Sequence, residues 1–485
     1  MSGFNVGAIL ATAMACALSA GLTTAASSET LESAVEQALA THPELAAIRF
    51  NRHAIDHELT AARGLRLPSV DVRSDYGRHR SYDRGTLGIV GTDDIHSHRE
   101  VSVVMSQRLF DGFEARHEEA RQKHRVESAR WRVNDTANSI ALRAVQAYLE
   151  LQRAYAVLEA ARSNLAAHQR LMSRVNQRVD GGRGTESDRS EAVGRTAQSQ
   201  ALVFEAEGRL RDADTLYRTV VGRPPGQLFP VKPPSRLVPR SIDAAVAEAV
   251  EAAPSIIATS HDATAAMAAV GVAHSRFYPR VNMELSSSQG WNVAEDHDRS
   301  IDSRAMVVVR WNLLNGGIDK ARDWEAKARA LEATEITHNT RRIIERETRT
   351  SWNAIETASN RIPVLARQLE QNRQTRQAYG SQFDGGQRRL LDLLNIQSEV
   401  FVAQATLRTE EFVHLYNTYR VLAAMGRLVP ALGLELPPEA VVPHAPNVVD
   451  GWRDGWANWK TRVDYHRSAT DPAPTQTPPA VAPAK

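Results

Sequence analysis

The sequence predicts a mainly α protein with a membrane β-barrel, assembled from a duplicated helix-strand-strand-helix-helix unit. Three observations carry this reading. The same residues recur at fixed spacing in the two halves of the chain. Within each half the apolar period changes from helical to two-residue and back in the same order. No stretch after the N-terminus offers about 18 consecutive apolar residues, so contact with a bilayer needs strands.

The spacing is explicit. The Asp-Gly-Gly triplets beginning at Asp180 and Asp384 lie 204 positions apart. The same offset relates Val103 to Val307, Leu109 to Leu313, Gly112 to Gly316, Asp188 to Asp392 and Gly222 to Gly426. Nearer the start the offset is 211, relating Val35 to Val246, Ala38 to Ala249, Pro43 to Pro254 and Pro68 to Pro279. The seven-residue change falls between about 71 and 100, which predicts a loop tolerant of length there.

Residues 1–26 read as a secretory signal peptide, apolar from about Val6 to Leu22, with Thr24-Ala25-Ala26 suiting a small-residue cleavage site. No Lys or Arg precedes the apolar run. The single cysteine, Cys16, lies inside it, and Ala13 stands where a lipoprotein signal usually has Leu, so cleavage after Ala26 is preferred to lipidation.

The first repeat takes residues 27–222 and the second 241–428, joined by a proline-rich linker at 223–240. Each opens with an Ala-rich helix interrupted by a proline, Pro43 or Pro254. Strands follow at about 69–77 and 99–110, then 280–288 and 303–314; Val281, Met283 and Leu285 alternate with Asn282, Glu284 and Ser286. The polar stretches between them, "RHRSYDRGTLGIVGTDDIHSH" and "WNVAEDHDRS", read as loops.

Long helices are predicted over 113–179 and 317–383, each 67 residues, or roughly 100 Å at ~1.5 Å per residue. Leu151, Leu158, Leu165 and Met172 recur every seven residues, with Ala154, Ala161, His168 and Val175 three later, the repeat of supercoiled helices. Pro363 should kink the second helix or end a turn in it. The Gly pairs end both helices, and shorter helices return over 186–221 and 389–425, the first opening with Thr185 and Asp188 at capping-box spacing. A segment at 429–470 carries Trp452, Trp456 and Trp459 at helical spacing, and 471–485 is a Pro/Ala-rich tail with little to bury.

Composition excludes other classes. A net charge of +2 with 24% charged residues leaves no basic surface for nucleic acid. No nucleophile elbow, phosphate loop or catalytic carboxylate pair is present, so neither an enzyme nor a cofactor is predicted. Asp93, Asp94, His96 and His98 in "DDIHSH" fall short of a metal site, and no metal is predicted. The Asp and Arg side chains of 71–75 suit a water-filled lumen.

The order of elements resembles the TolC family of outer-membrane efflux and secretion channels over about 29–430. So do "FDG" and "LNGG" before the long helices and "YGSQFDGGQRRLLDLLNIQSEVFVAQATL" followed by "YRVLAAMGRL". "GQRRLLDLLN" and "LAAMGRL" are similar to the branch associated with type I protein secretion. The resemblance implies a homotrimer in the outer membrane of a Gram-negative bacterium, its four strands per chain closing a twelve-stranded barrel. It also implies a twelve-helix coiled-coil tunnel in the periplasm, docked to a periplasmic adaptor (a membrane fusion protein) and an inner-membrane transporter of ABC type. The function implied is passive passage from periplasm to exterior, in type I secretion, with small-molecule efflux as the alternative. A reading from another class, a periplasmic adaptor or a structural coiled coil, would call for a single hairpin or for no strands.

In that family the returning helix of the second half carries two aspartates, three apart, around the periplasmic entrance. The matching positions are Asp392 and Asn395, so the resemblance implies a ring with less charge here. Asp188 and Glu191 correspond to them in the first half. Acids in a first helical turn also offset the helix dipole by about 0.3–1 kcal/mol, and both roles stand. Gly181, Gly182, Arg183, Gly385, Gly386, Arg388 and Arg389 match the adaptor-contacting tips, and the glycines also serve as helix stops.

Overall fold

The computed structural model describes residues 28–83, 92–234, 237–291 and 299–441. The signal peptide with Cys16, the segment with Trp452, Trp456 and Trp459, and the tail lie outside them. The first repeat contains β1 (Ser28–Glu29), α1 (Leu31–Thr41), α2 (Pro43–Gly64), β2 (Ser69–Asp83), β3 (Thr92–Phe110), α3 (Glu114–Asp180) and α4 (Glu186–Val221). After β4 (Gln227–Leu228), the second contains α5 (Ile242–Ala252), α6 (Pro254–His274), β5 (Arg280–Trp291), β6 (Arg299–Arg310), α7 (Ile318–Asp384) and α8 (Leu390–Ala424). Two short helices, α9 (Leu428–Ala431) and α10 (Pro438–Val441), follow. One compact unit holds Phe50–Arg130 and Ala258–Thr337, and another holds Trp131–Ile257, His338–Ala440 and the chain before Phe50.

The first of these units is built on an antiparallel sheet of order β2-β3-β5-β6. Both hairpins are longer than the sequence predicts. β2 and β3 pair from Ser69–Ser106 out to Asp83–Thr92, so residues 78–83 and 92–98 are strand, and "DDIHSH" lies on β3. Strands polar on both faces lose the alternation that betrays them, yet their ladder bonds need no particular side chain. The extra residues of the first half therefore lengthen strands: β2 and β3 have 15 and 19 residues against 12 each in β5 and β6. β6 stops at Arg310, short of the predicted Leu314, because its partner β5 begins opposite at Arg280, just after Pro279, which has no N–H to donate.

Register sorts the side chains. Val70, Met105, Leu285 and Ala305 form one row across the sheet, and Val72, Val103, Ser287 and Ser303 the next but one. On this face Val70, Val72, Val101, Val103, Ile301, Val307 and Val309 are exposed. The opposite face carries Asp71, Arg73, Asp75, Glu100, Glu284, Asp302, Arg304 and Arg310. Ion pairs form along it, Arg73–Asp75 at 2.8 Å, Arg304–Asp302 at 2.5 Å and Arg310–Glu284 at 3.4 Å. A water-soluble sheet hides its apolar side; this one shows it.

Aromatic residues bound the apolar face. Tyr76, Arg99, Trp291 and Arg299 occupy one row, with Arg99 5.4 Å from the Tyr76 ring and Arg299 5.9 Å from that of Trp291. At the other end of the strands Phe113, Phe277, Tyr278 and Trp311 are exposed. From Arg299 along β6 to Trp311 just beyond it is 12 residues, which at ~3.4 Å per residue and a tilt of ~40° spans roughly 31 Å, of the order of the ~25 Å apolar band of a barrel wall. The stretch Ile242–Phe277 is also apolar enough on average to cross a membrane, but it is interrupted at Ala253, between α5 and α6.

β3 passes into α3 through two left-handed residues, Gly112 (φ 67°) and Phe113 (φ 68°). The second half uses Gly316 and Gly317 at these positions. Phe113 thus accepts a conformation costing about 1–2 kcal/mol for a residue with a Cβ. α7, by contrast, continues through Pro363, so of the two expected effects, a kink or an ended turn, the helix does not end there. Pro363 is exposed, so water can reach the Ser359 carbonyl that loses its helical donor.

In the other unit the core is formed by α1, α5, the adjoining parts of α3 and α4, and α8 with α9; Val133, Ile140, Tyr148, Tyr217, Val221, Leu422 and Leu428 lie in it. β1 pairs in parallel with β4. The Glu29 carboxylate accepts from Gly226 N at 2.7 Å and Arg223 Nη2 at 2.8 Å, while Tyr148 Oη donates to Glu29 O at 2.8 Å. Burial pushes the Glu29 carboxyl up, but the Gly226 amide, the Tyr217 hydroxyl and the Arg223 guanidinium together outweigh it and hold it below the usual carboxylate range. Asn138 Oδ1 accepts from Leu428 N and Val429 N, tying the start of α9 to α3.

The duplication is visible in two contacts. A Cβ on Gly222 would meet Thr41 Oγ1 at 3.1 Å, and one on Gly426 would meet the Pro254 ring at 2.5 Å, so each returning helix ends against the break in its own repeat's opening helix. Gly433→Ala, at φ 73° in open space, carries only the left-handed backbone cost, about 1–2 kcal/mol. Gly426→Ala, at φ 68°, adds the Pro254 overlap and is predicted to lower the denaturation midpoint in detergent further. Equal midpoints would remove the packing role.

Candidate functional site

The two long helices end in the same way. Gly182 N donates to Val179 O and Arg183 N to Arg178 O; Gly386 N donates to Phe383 O and Gln387 N to Gln382 O. These are paired Schellman closures, with Gly182 at φ 71° and Gly386 at φ 75°. Gly181 and Gly385 keep ordinary φ, so only the second glycine of each pair is demanded by the backbone.

The returning helices then differ. Thr185 caps α4: Asp188 N donates to Thr185 Oγ1 at 3.1 Å, and Asp188 Oδ2 accepts from Thr185 N at 3.0 Å. The Asp188 carboxylate is therefore committed to the capping box. The matching residue at the start of α8 is Arg389, which provides no side-chain cap. Asp392 lies in the first turn of α8, half-exposed, with only Arg388 Nη1 near it at 3.6 Å.

Five of the predicted residues meet in one place. Arg183, Asp188 and Glu191 of the first hairpin and Arg388 and Arg389 of the second line a cleft of about 330 Å³. The guanidinium groups of Arg183 and Arg389 have neither a hydrogen bond nor an ion pair among the described residues. Arg388 stacks over the Tyr379 ring at 3.9 Å. Asp392, Asn395 and the four glycines do not line the cleft.

Other contacts join the hairpins and were not legible in the sequence. Arg174 Nη1 pairs with Asp384 Oδ1 at 3.1 Å, Arg178 Nη1 donates to Phe383 O at 2.5 Å, and the Arg178 guanidinium covers the Phe383 ring at 4.6 Å. Asn395 Oδ1 accepts from Arg195 Nη2 at 3.0 Å. Beneath them Leu171, Val175, Ala192, Phe383, Leu390, Leu393, Leu394 and Ile396 form an apolar cluster.

A polar layer separates this cluster from the next, formed by Leu158, Ala161, Val203 and Ala206. Gln397 Nε2 donates to Asn164 Oδ1 at 2.9 Å, Asn164 Nδ2 to Ser199 Oγ at 3.3 Å, and Arg376 Nη1 to Gln397 Oε1 at 3.4 Å. His168, one turn from Asn164 and 1% exposed, has no partner for Nδ1. Burial, with a smaller push from the Arg195 charge, lowers its pKa below the ordinary 6.5. The signal for this layer was in the sequence: His168 interrupts an otherwise apolar heptad series.

His98 Nε2 lies 3.8 Å from Glu100 Oε2, and the side chains of Asp93, Asp94 and His96 lie outside the described residues. Among the described residues no group of three or more His, Cys, Asp or Glu is placed to hold a metal.

A lipid-facing sheet and paired helical hairpins, twice over in one chain, define an outer-membrane channel. The chain belongs to the outer membrane efflux protein family, whose profile, described as "Outer membrane efflux protein", matches residues 34–223 and 245–412. It is 26% identical over 448 residues to the outer membrane efflux protein BepC of Brucella suis biovar 1 (strain 1330), covering 88% of this chain and 92% of the relative. It is 21% identical over 449 residues to the outer membrane protein TolC of Salmonella enteritidis, covering 88% and 90%. The fold matches the outer membrane protein VceC of Vibrio cholerae with a TM-score of 0.72 at 17% identity, over 84% of this chain and 97% of that one. The protein is thus an outer-membrane efflux channel, and its location is the outer membrane.

Two predictions follow from the tip geometry. Asp188→Ala should lose the capping-box bonds, about 1 kcal/mol of local helix stability, as well as the dipole offset, whereas Asp392→Ala should lose only the dipole offset of about 0.3–1 kcal/mol, so amide exchange should quicken more at the start of α4 than at the start of α8; equal effects would contradict the asymmetry. His168 binds its proton more weakly folded than unfolded, so the layer is fully stable above 6.5 and loses stability as pH falls below that value. Amides of 164–172, corrected for intrinsic rate, should exchange faster at about pH 5.5 than at about pH 7.5 in the native chain and not in His168→Gln.

Proposed function

We propose that the chain is the channel-tunnel of a tripartite export machine, working as a homotrimer in type I protein secretion with a periplasmic adaptor and an ABC-type inner-membrane transporter. The observation that carries the trimer is the sheet. β2 and β6 are its outer strands, neither with a further strand partner among the described residues. Lipid offers no hydrogen bonds to a free edge, so the edges close on other copies, and three copies give twelve strands. The charged face then lines a wet passage and the apolar face meets lipid.

The tips are proposed as the periplasmic entrance and adaptor contact. Asp392 is left out of any capping box there and pairs with Arg388 at 3.6 Å, and Asn395 is held by Arg195. Closure rests on the contacts between hairpins, Arg174–Asp384 and Arg178–Phe383, which must part for cargo to pass. Type I secretion is preferred on the resemblance of "GQRRLLDLLN" and "LAAMGRL" to that branch. Small-molecule efflux is the second reading, favoured by the name of the BepC relative.

In planar bilayers the detergent-extracted protein should show stable conductance steps. Arg174→Ala with Arg178→Ala should raise conductance several-fold, and Asp392→Ala should lower cation preference. Unchanged steps in the double variant would contradict the closure role, and unchanged preference would return Asp392 to offsetting the helix dipole.

A further inference from the structure

In the unit that holds the sheet, contacts made inside one repeat occur twice. Gln107 Nε2 donates to Arg66 O at 3.0 Å, and at the matching positions Trp311 Nε1 donates to Phe277 O at 3.1 Å. Arg63 lies 3.6 Å from Glu119, and at the matching positions His274 lies 3.4 Å from Asp323. Lys123 pairs with Glu119 at 2.9 Å, and Lys327 with Asp323 at 2.7 Å. Each repeat thus seats its own opening helix on its own long helix, α2 on α3 and α6 on α7.

Contacts made between the repeats occur once, and they seat α3 on α6. A Cβ on Gly112 would meet Ser275 O at 2.5 Å and Tyr278 Cβ at 2.8 Å. One on Gly271 would meet His117 Nδ1 at 2.4 Å, and His124 Nδ1 lies 3.4 Å from His261 Nδ1. By the offsets of 204 and 211, the duplicate of this contact joins α7 to α2: Gly316 to Gly64 and Leu67, Ala321 to Thr60, and Ala328 to Phe50. A single chain does not make it. A Cβ on Gly316 or on Gly64 meets nothing within 4 Å, whereas Ser275, the counterpart of Gly64, is 1% exposed.

The two faces concerned are apolar and open. Ala321, Trp324, Ala328 and Leu331 fall at i, i+3, i+7 and i+10 on one side of α7, and all four are exposed, Leu331 by 69%. The matching residues of α3, which α6 covers, are His117, Ala120, His124 and Glu127, all half-buried. On α2, Phe50, Ala54, Ala61 and Leu65 share the side of Gly64 and are exposed. The uncovered version of the joint is therefore the more apolar one, and covering it removes apolar surface from water.

We infer that α7 seats on α2 of a second copy of this chain, in the register that α3 takes on α6. The inference rests on the reading of the chain as an assembly of several copies, and it names the helix faces and residue pairs that join them. Because the face on α7 differs from the face on α2, the contact is head-to-tail and runs from copy to copy into a ring, not a two-fold pair. Leu331 in place of Glu127 and Phe50 in place of His261 make the joint between copies an apolar form of the joint within each chain.

The test pairs cysteine cross-linking with native mass spectrometry of the detergent-extracted full chain. Thr60→Cys with Ala321→Cys should oxidise to a disulfide between chains, giving dimer and trimer bands on a non-reducing denaturing gel. His117→Cys with Gly271→Cys, the matching positions inside the chain, should close a disulfide without raising the mass. A trimer without the inter-chain disulfide, while the internal one closes, would overturn the register and leave the trimer reading intact. A monomer in native mass spectrometry would overturn that reading and the inference with it. Gly64→Leu, which meets nothing within one chain, should lower the trimer share about tenfold at fixed concentration; an unchanged share would overturn the inference as well.

Discussion

A backbone N–H or C=O inside a bilayer has no water to bond, and the rest of this structure depends on that constraint. Four antiparallel strands satisfy their own neighbours but leave the outer sides of β2 and β6 open. The sheet also turns its valines outward and its ion pairs to the other side, an arrangement that would expose a large apolar surface in water. Both features become favourable together only in a closed wall between lipid and an aqueous lumen.

Duplication supplies two versions of every part, and their differences are informative because the fold tolerates either version. Both long helices stop with a left-handed glycine, so termination is common to the two. Capping is not: Thr185 and Asp188 satisfy free amides of α4, while Arg389 leaves α8 to other means and leaves Asp392 available. The same comparison separates Phe113 from Gly317. The polar layer of Asn164, Ser199 and Gln397 limits how far the apolar cluster at the tips is continuous with the helices behind it.

Much of this was legible in the residues. The offsets of 204 and 211, the glycine stops and the seven-residue period each have a strict local cause: a Cβ clash, a left-handed φ, or a helical pitch. The hairpin ends were not legible, because residues 78–83 and 92–98 are mostly polar and lack the apolar alternation that marks a strand, while the ladder that pairs them is made by the backbone. Pro363 does not end α7, since an exposed position lets water replace the lost donor. The tip contacts Arg174–Asp384, Arg178–Phe383 and Arg195–Asn395 link residues about 200 positions apart, and no local pattern encodes them.

The most direct test of the account asks which face of the sheet meets lipid. The described strands contain no cysteine, so single-cysteine spin labels at Val307 and at Asp302 report opposite faces of β6. In reconstituted vesicles the Val307 label should be relaxed by dissolved oxygen, which concentrates in lipid, and the Asp302 label by a water-soluble nickel chelate. The reverse pattern, or equal access of the chelate to both, would contradict a barrel wall with its valines in the bilayer.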